Sequence, residues 1–389
     1  MEMPLRYGLN PHQTPARLLV PGDPPPLQVL NGRPGYVNML DALGAWQLVR
    51  ELRLATGLPS AASFKHTSPA GAAVARPLTE TFRQAYGLPA GELSPIATAY
   101  ARARGGDRVS SYGDAVAVSD TVDLSLARLL QREVSDLLIA PGYDPDALAL
   151  LKTKKNGAYL LLQMDPAYTP PEMENRELFG LTLQQKRNTA AITRDTFANV
   201  VTKQKTLPED VLQSLIVATI ALKYTQSNSI CVAYDGQVIG MGAGQQSRIH
   251  CTRLACDKAD KWLLQQHPRV VQAPFRPGVK RVDKFNLVDQ YLMWEQLSQT
   301  EEASMLAGFQ TRPLPLSPQE RADWLAQFAG ICLSSDAFIP FRDNVDRASR
   351  SHVQYIAQTG GALREEDIIA AAEQYGMTMI LTGVRLFLH

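Results

Sequence analysis

Lys65 and His66 are adjacent in the stretch SFKHTSPAG, between a short apolar run and Ser68-Pro69. One side chain is cationic; the other is an imidazole, whose intrinsic pKa of about 6.5 lets it exchange a proton near neutrality. Such a pair at the mouth of a turn is raw material for proton transfer. A Lys-His dipeptide is more often a satisfied polar pair at a strand end, so its setting decides. Ser68 can cap a helix that has Pro69 in its first position, and SPAGAAVA is read here as the start of that helix. Its positive end would favour the neutral, proton-accepting form of Lys65.

Arg6 in LRYGLNPHQ, Arg248 in GQQSRIH and Arg385 in VRLFLH each stand at a chain turn. Singly, each reads as a surface ion pair; together they are the parts needed to grip a phosphate bidentately. Asn228, in the polar stretch TQSNS, offers an uncharged donor for a developing oxyanion, against the alternative of a turn residue bonding its own backbone. Asp343, Asn344 and Asp346 in FRDNVDRA lack the Gly and distal Glu of a calcium loop, and a capped helix start explains them better. GAGQQSR is neither a P-loop, having no Gly-Lys-Ser/Thr, nor a dinucleotide fingerprint, having no third Gly.

The elements that must hold these residues follow from periodicity. The Pro- and Gly-rich first thirty residues read as loop and short edge strands. From Asn38, apolar residues at spacings of three and four form an amphipathic helix that closes on Gly57. SAASF, AVAVS, DLLIA and AYLLLQMD are strand candidates separated by helices, with the basic turn KTKKNG before the last. A charged, Pro-bearing linker near 165 to 185 marks a domain boundary. Beyond it come a helix in PEDVLQSLIVATIALKY, the hairpin ICVAYDGQVIGMGAG with Asp235-Gly236 in a type I′ turn, and a helix in HCTRLACDKADKWLLQQHP. Residues from about 261 to 331 read as an α-helical insertion, followed by a helix in EEDIIAAAEQYG and the strand MTMILTG.

The totals exclude several classes. A chain of 389 residues exceeds one ordinary core and predicts two domains of similar size. With 39 Lys plus Arg against 38 Asp plus Glu, no net field exists to hold nucleic acid or an anionic membrane. Cys231, Cys251, Cys256 and Cys332 form no C-x-x-C pair, which argues against structural zinc and against a disulfide framework. No apolar run approaches eighteen residues and the N-terminus lacks a leader pattern, so a soluble, cytoplasmic, unprocessed protein is expected.

In order and spacing, RYGLNPHQTPA, SFKHTSPAGAAV, YARARGGDRVSSYGD, REVSDLLIAPGY, KKNGAYLLLQMD, KYTQSNSICVAYDGQVIGMGAGQQSRIHCTRLACDKAD and SSDAFIPFRDNVDRA resemble aminoimidazolecarboxamide ribonucleotide (AICAR) transformylase. In that family the unit usually forms the C-terminal part of a bifunctional purine biosynthesis protein that also carries inosine monophosphate cyclohydrolase. The resemblance covers the chain from Arg6 to His389. It implies an α/β fold: a tandem duplication of cytidine-deaminase-like three-layer α/β/α domains, residues 1–180 and 181–389, the second with the helical insertion. The deaminase likeness concerns the fold alone, since no H-x-E with P-C-x-x-C is present and no zinc is expected.

The resemblance implies formyl transfer from 10-formyltetrahydrofolate to the 5-amino group of AICAR by a homodimer with active sites shared across its interface. Lys65, His66 and Asn228 match the family's catalytic residues. Arg6, Tyr7, Asn38, Gly113, Asp136, Arg248, Phe338 and Arg385 match positions that hold the ribonucleotide. Val109, Tyr112, Ile249, Pro340, Phe341, Asp343 and Asn344 match the folate side, with Val109 and Tyr112 standing where relatives carry Met and Phe. Leu388 departs from a His that commonly precedes the final His. Thr225, Ser227, Ser229, Asp336 and the Leu386 carbonyl resemble a potassium site. His66 is then expected to take the amine proton, Lys65 to protonate N10, and Asn228 to share the oxyanion. A chain that starts at this unit is expected to lack cyclohydrolase activity. The competing expectations are another formyl donor, or an idle paralogue that binds purine ribonucleotide.

Overall fold

A computed structural model describes residues 2–389. At the N-terminus β1 (Glu2–Leu5) and β2 (Ala16–Leu19) pair with each other, and β3 (Leu27–Asn31) joins the edge of the main sheet. The sequence signals for α1 (Tyr36–Thr56) hold: its apolar positions bury Ala42, Trp46 and Val49, and Gly57 closes it in the left-handed region at φ 69°. Next come β4 (Ser60–Lys65), β5 (Ser68–Val74), α2 (Glu80–Tyr86), α3 (Pro95–Gly105), β6 (Asp114–Val118), α4 (Leu124–Gln131), β7 (Ser135–Ala140), α5 (Pro145–Lys152) and β8 (Leu160–Met164).

The stretch expected as a linker instead folds as an exposed hairpin of β9 (Met173–Leu178) and β10 (Leu181–Lys186). The second run is α6 (Glu209–Lys223), β11 (Ile230–Tyr234), β12 (Gln237–Gly242) and α7 (Arg248–Leu264). The helices α8 (Pro268–Val271), α9 (Arg281–Leu292), α10 (Gln299–Leu306) and α11 (Pro318–Leu325) follow. The chain ends with β13 (Cys332–Ser335), α12 (Asp343–Arg350), β14 (Tyr355–Gln358), α13 (Glu365–Gln374) and β15 (Thr378–Leu381).

Eleven strands form one sheet in the order β15-β14-β13-β11-β12-β5-β4-β6-β7-β8-β3. Its connectivity repeats. In the first run β4 pairs antiparallel with β5 and β6, and β6, β7 and β8 are parallel; in the second β11 pairs antiparallel with β12 and β13, and β13, β14 and β15 are parallel. The runs meet through the antiparallel β12–β5 pair. Strand side chains alternate between two faces. Phe64, Ala115, Leu137 and Cys231 pack with α1 and α6 on one face. Opposite them Val116 and Leu138 pack with α3 and α4, and Val232 and Leu333 with α7 and α12. The protein is therefore α/β, with helices on both faces of a mixed sheet.

A second expectation is overturned. Residues 68–74 form strand β5, not a helix, so no helix terminus faces Lys65. Small residues let β5 lie between β4 and β12, and a Cβ on Gly71 would collide with the Ala103 carbonyl of α3. Pro69, which has no N–H to give, sits beside the register shift at Ser63/Phe64. Pairing on both sides overrides the helix propensity of the alanines.

Candidate active site

Lys65 ends β4, and His66 and Thr67 form the two-residue turn into β5 with φ of 52° and 60°. Two positive φ values are the type I′ pattern, which Asn-Gly usually supplies. Here tertiary contacts hold it. The Asp41 carboxylate accepts the Thr67 N–H at 2.7 Å, and Ser68 Oγ accepts the Gln226 N–H at 3.3 Å. His66 is exposed, and Lys65, half-buried, donates to the Tyr112 carbonyl. Burial, the largest influence, raises the pKa of Asp41 above 3.8, while the Thr67 N–H and the nearby His66 and Lys65 oppose that rise.

Strand directions bring other residues to the same end of these central strands. β6 and β7 run antiparallel to β4, so Gly113 and Asp136 at their starts lie beside Lys65. A Cβ on Gly113, whose φ is 73°, would sit 3.4 Å from Lys65 Nζ and 3.8 Å from Asp136 Oδ2. Asp136 is paired at 2.6 Å with Lys155. Arg6, Asn38 and Gly35 meet at the start of α1: a Cβ on Gly35 would lie 3.0 Å from Asn38 Oδ1 and 3.4 Å from Arg6 Nη2. Asn38 precedes Asp41 by three residues, on the same face of the helix. Arg6 itself stands 5.9 Å from the centre of the Tyr7 ring.

A second group gathers where β11 begins and β13 ends. Arg248, in the first turn of α7, is buried and pairs with Asp336 at 2.5 Å, also meeting Ser335 Oγ at 3.0 Å. Its Nη2 donates to Asn228 Oδ1 at 2.7 Å, and Asn228 Nδ2 donates to the Gln246 carbonyl at 3.2 Å. The amide of Asn228 is thus oriented from both ends, with one N–H left over. Of the three arginines, Arg248 is in an ion pair, but a buried one and not one at the surface. Arg6 and Arg385 are exposed, the latter 4.8 Å from the Phe387 ring, but the charge of Arg248 is already balanced.

Phe338 and Phe341 are exposed after β13. Asn344 is buried, accepting from Thr252 Oγ1 at 2.7 Å and donating to the Phe341 carbonyl at 3.2 Å. The expected capped helix start is only partly right: α12 begins at Asp343, but its N-cap is Arg342, without a side-chain cap. Ile249 and Asp343 line a cavity of about 520 Å³ with Arg253, Arg347 and Tyr375. Val109 and Tyr112 lie in the other group, on the loop that ends beside Lys65.

The predicted residues thus form two clusters. Lys65, His66, Arg6, Tyr7, Asn38, Gly113, Asp136, Val109 and Tyr112 belong to the first run; Asn228, Arg248, Ile249, Phe338, Pro340, Phe341, Asp343, Asn344 and Arg385 belong to the second. Among the described residues no hydrogen bond or salt bridge joins them directly. Gln226 bridges, two residues from Asn228, with its N–H on Ser68 and its Nε2 at 3.5 Å from Thr67 Oγ1. Asp41, Gln226 and Lys155 were missed; only Asp41 carries a signal, its three-residue spacing from Asn38.

Of the oxygens expected around potassium, the Ser227 and Ser229 hydroxyls converge on Asp336. Its Oδ2 accepts from Ser227 Oγ at 2.7 Å and from Ser229 N and Oγ at 2.9 and 3.0 Å, while Thr225 Oγ1 turns to the Ala221 carbonyl at 2.7 Å. Each donating hydroxyl keeps lone-pair capacity, and the all-oxygen set suits a hard cation in kind.

An α/β protein with an exposed Lys-His turn at the end of two central strands, and an oriented Asn in a second cluster, carries groups suited to proton transfer. Comparison with known proteins gives the family. A profile described as "AICARFT/IMPCHase bienzyme" matches residues 1–258. The chain belongs to the AICARFT/IMPCHase bienzyme family. It is 28% identical over 389 residues to the "Bifunctional purine biosynthesis protein PurH" of Roseobacter denitrificans, covering 99% of this chain and 59% of that protein. The proteins of the same name from Xylella fastidiosa strain M12 and Magnetococcus marinus are each 29% identical, with 99% of this chain and 58% and 59% of those proteins covered. The chain therefore spans somewhat under two thirds of these curated relatives. Among the described residues no helix is long and apolar enough to cross a membrane.

Proposed function

We propose that this chain transfers the formyl group of 10-formyltetrahydrofolate to the 5-amino group of AICAR, giving formyl-AICAR and tetrahydrofolate in purine biosynthesis. The observation that carries the reading is the His66-Thr67 turn, which presents Lys65 and His66 at the end of the central strands β4 and β5 in a chain of this family.

The amine of AICAR is conjugated with its ring and carboxamide, so it must lose a proton as it attacks. Its nitrogen forms a bond to the formyl carbon while the bond from that carbon to N10 breaks. His66 takes the amine proton and Lys65 delivers a proton to N10. The free N–H of Asn228 stabilises the oxyanion, and Arg248 acts through Asn228 as a positioning residue. Arg6, Tyr7, Asn38, Gly113, Asp136, Arg248, Phe338 and Arg385 hold the ribonucleotide. Val109, Tyr112, Ile249, Pro340, Phe341, Asp343 and Asn344 hold the folate.

The division of these residues into two clusters supports a homodimer in which each site takes one cluster from each protomer. The repeated strand connectivity supports tandem cytidine-deaminase-like units over residues 1–180 and 181–389, working in the cytoplasm. Potassium held by Thr225, Ser227, Ser229, Asp336 and the Leu386 carbonyl would fix the loop that carries Asn228 and supply no chemistry to the transfer.

The test is purified protein with AICAR and 10-formyltetrahydrofolate, following tetrahydrofolate by absorbance. Turnover dependent on both substrates is expected. No turnover, with AICAR binding intact by calorimetry, would replace the reading with that of a ribonucleotide-binding paralogue.

A further inference from the structure

A cavity of about 500 Å³ opens beside α1, away from both clusters, since none of their residues lines it. Its size is that of a small-ligand site. Leu43, Trp46, Arg50 and Leu54, spaced by three and four, put one stripe of α1 on its wall. Met164 at the end of β8, with Tyr168 and Ile192 on either side of the exposed hairpin, adds apolar surface, and Tyr224 at the end of α6 adds a further ring.

The same wall carries charge. Lys223, whose side chain is 7% exposed, donates to Glu51 Oε2 at 2.8 Å and to the Ala190 carbonyl at 2.9 Å, and the Tyr224 hydroxyl donates to that Oε2 at 2.7 Å. An ammonium has three N–H donors, so one remains. Among the described residues Glu51 is the one carboxylate lining the cavity, and its second oxygen, Oε1, is sealed from solvent and so from a ligand. Arg187 is taken by Glu174 at 3.1 Å. Arg50, half-buried, makes no hydrogen bond or ion pair among the described residues. The lining therefore presents spare positive charge beside ring and aliphatic surface.

We infer that this pocket binds an aromatic monoanion, with its rings against Leu43, Leu54 and Tyr168 and its acidic group on Arg50. A neutral apolar ligand would bury the Arg50 donors without partners, at a desolvation cost. A small inorganic anion would meet Arg50 but leave the apolar wall in water. A cation would face the surplus charge with its only carboxylate already shared by Lys223 and Tyr224. The inference stands apart from the proposed function, because no residue of the Lys65 or Asn228 cluster takes part.

The full chain is titrated with 8-anilinonaphthalene-1-sulfonate and with N-phenyl-1-naphthylamine, the same ring system without the sulfonate. Dye fluorescence is followed in the wild type, Arg50→Glu, Arg50→Gln and Leu54→Asp. One sulfonate per chain is expected, bound about tenfold more tightly than the neutral dye. Both Arg50 variants abolish that preference, and Leu54→Asp weakens both dyes. Leu54 is 77% exposed, so its variant is expected to fold, and Arg50→Gln keeps the test readable if charge reversal does not. Equal affinity for the two dyes in the wild type, or a preference that survives both Arg50 variants, would overturn the inference. Titrations repeated across protein concentration, beside sedimentation, test the other occupant. Dye sites that open only as an assembly dissociates would assign the wall to a second copy of the chain and overturn the inference too.

Discussion

The turns His66-Thr67 and Asp235-Gly236 occupy equivalent places in the repeated connectivity, one joining β4 to β5 and the other β11 to β12. Both have two positive φ values, 52° and 60° in the first and 50° and 70° in the second. Asp-Gly is the residue pair that this geometry favours, and its carboxylate serves packing through ion pairs of 2.9 Å to Arg76 and 3.0 Å to Arg102. His-Thr is a poor pair for the same geometry, because a β-branched residue resists the left-handed region. Asp41 and Gln226 hold it from outside. A turn made by its own residues has no freedom in what it presents, whereas one imposed by its neighbours can display an imidazole and an ammonium.

The largest expected effect comes from erasing the difference. The double variant His66→Asp with Thr67→Gly gives the first turn the residues of the second. It should stay folded, gaining up to about 1 kcal/mol in urea unfolding, while formyl transfer falls by roughly 10² to 10⁴. Arg248→Met comes next: it leaves Asp336 buried and unpaired, at a cost of about 3–5 kcal/mol. At temperatures where that variant is folded, kcat should also drop because Asn228 loses its Oδ1 donor.

Asp235→Ala breaks the structural turn instead. It removes both ion pairs from Arg76 and the nearly buried Arg102, and should lower stability by about 2 kcal/mol with kcat unchanged. The smallest effect concerns Asp41. Its carboxyl binds a proton more tightly folded than unfolded, so between its raised native value and 3.8 stability rises as pH falls. Relative to Asp41→Asn, the wild-type urea midpoint should therefore increase from pH 7 to pH 4.

The same contrast marks what could be read from the sequence. Asp235-Gly236 and the Gly57 helix stop are local signals, and both were legible. Lys65, His66 and Asn228 were legible as chemistry but not in their placement. Ser68-Pro69 carries real helix-start propensity, and the strand that replaces it depends on β4 and β12, the latter about 170 residues further along. The ion pair of Arg248 was not legible, because Asp336, 88 positions away, gives no local sign of being its partner. The placement of Arg108 was not legible for the same reason, since the rings that sandwich its guanidinium are Tyr86 from α2 and Phe285 from α9.

The central claim, that the His66-Thr67 turn is the proton-handling centre of a formyl transfer, is tested most directly by His66→Ala. The measurement is kcat at saturating AICAR and 10-formyltetrahydrofolate, with AICAR affinity measured on the same sample. The account predicts a loss of roughly 10² to 10⁴ in kcat with AICAR binding retained. A kcat within a few-fold of wild type would contradict it.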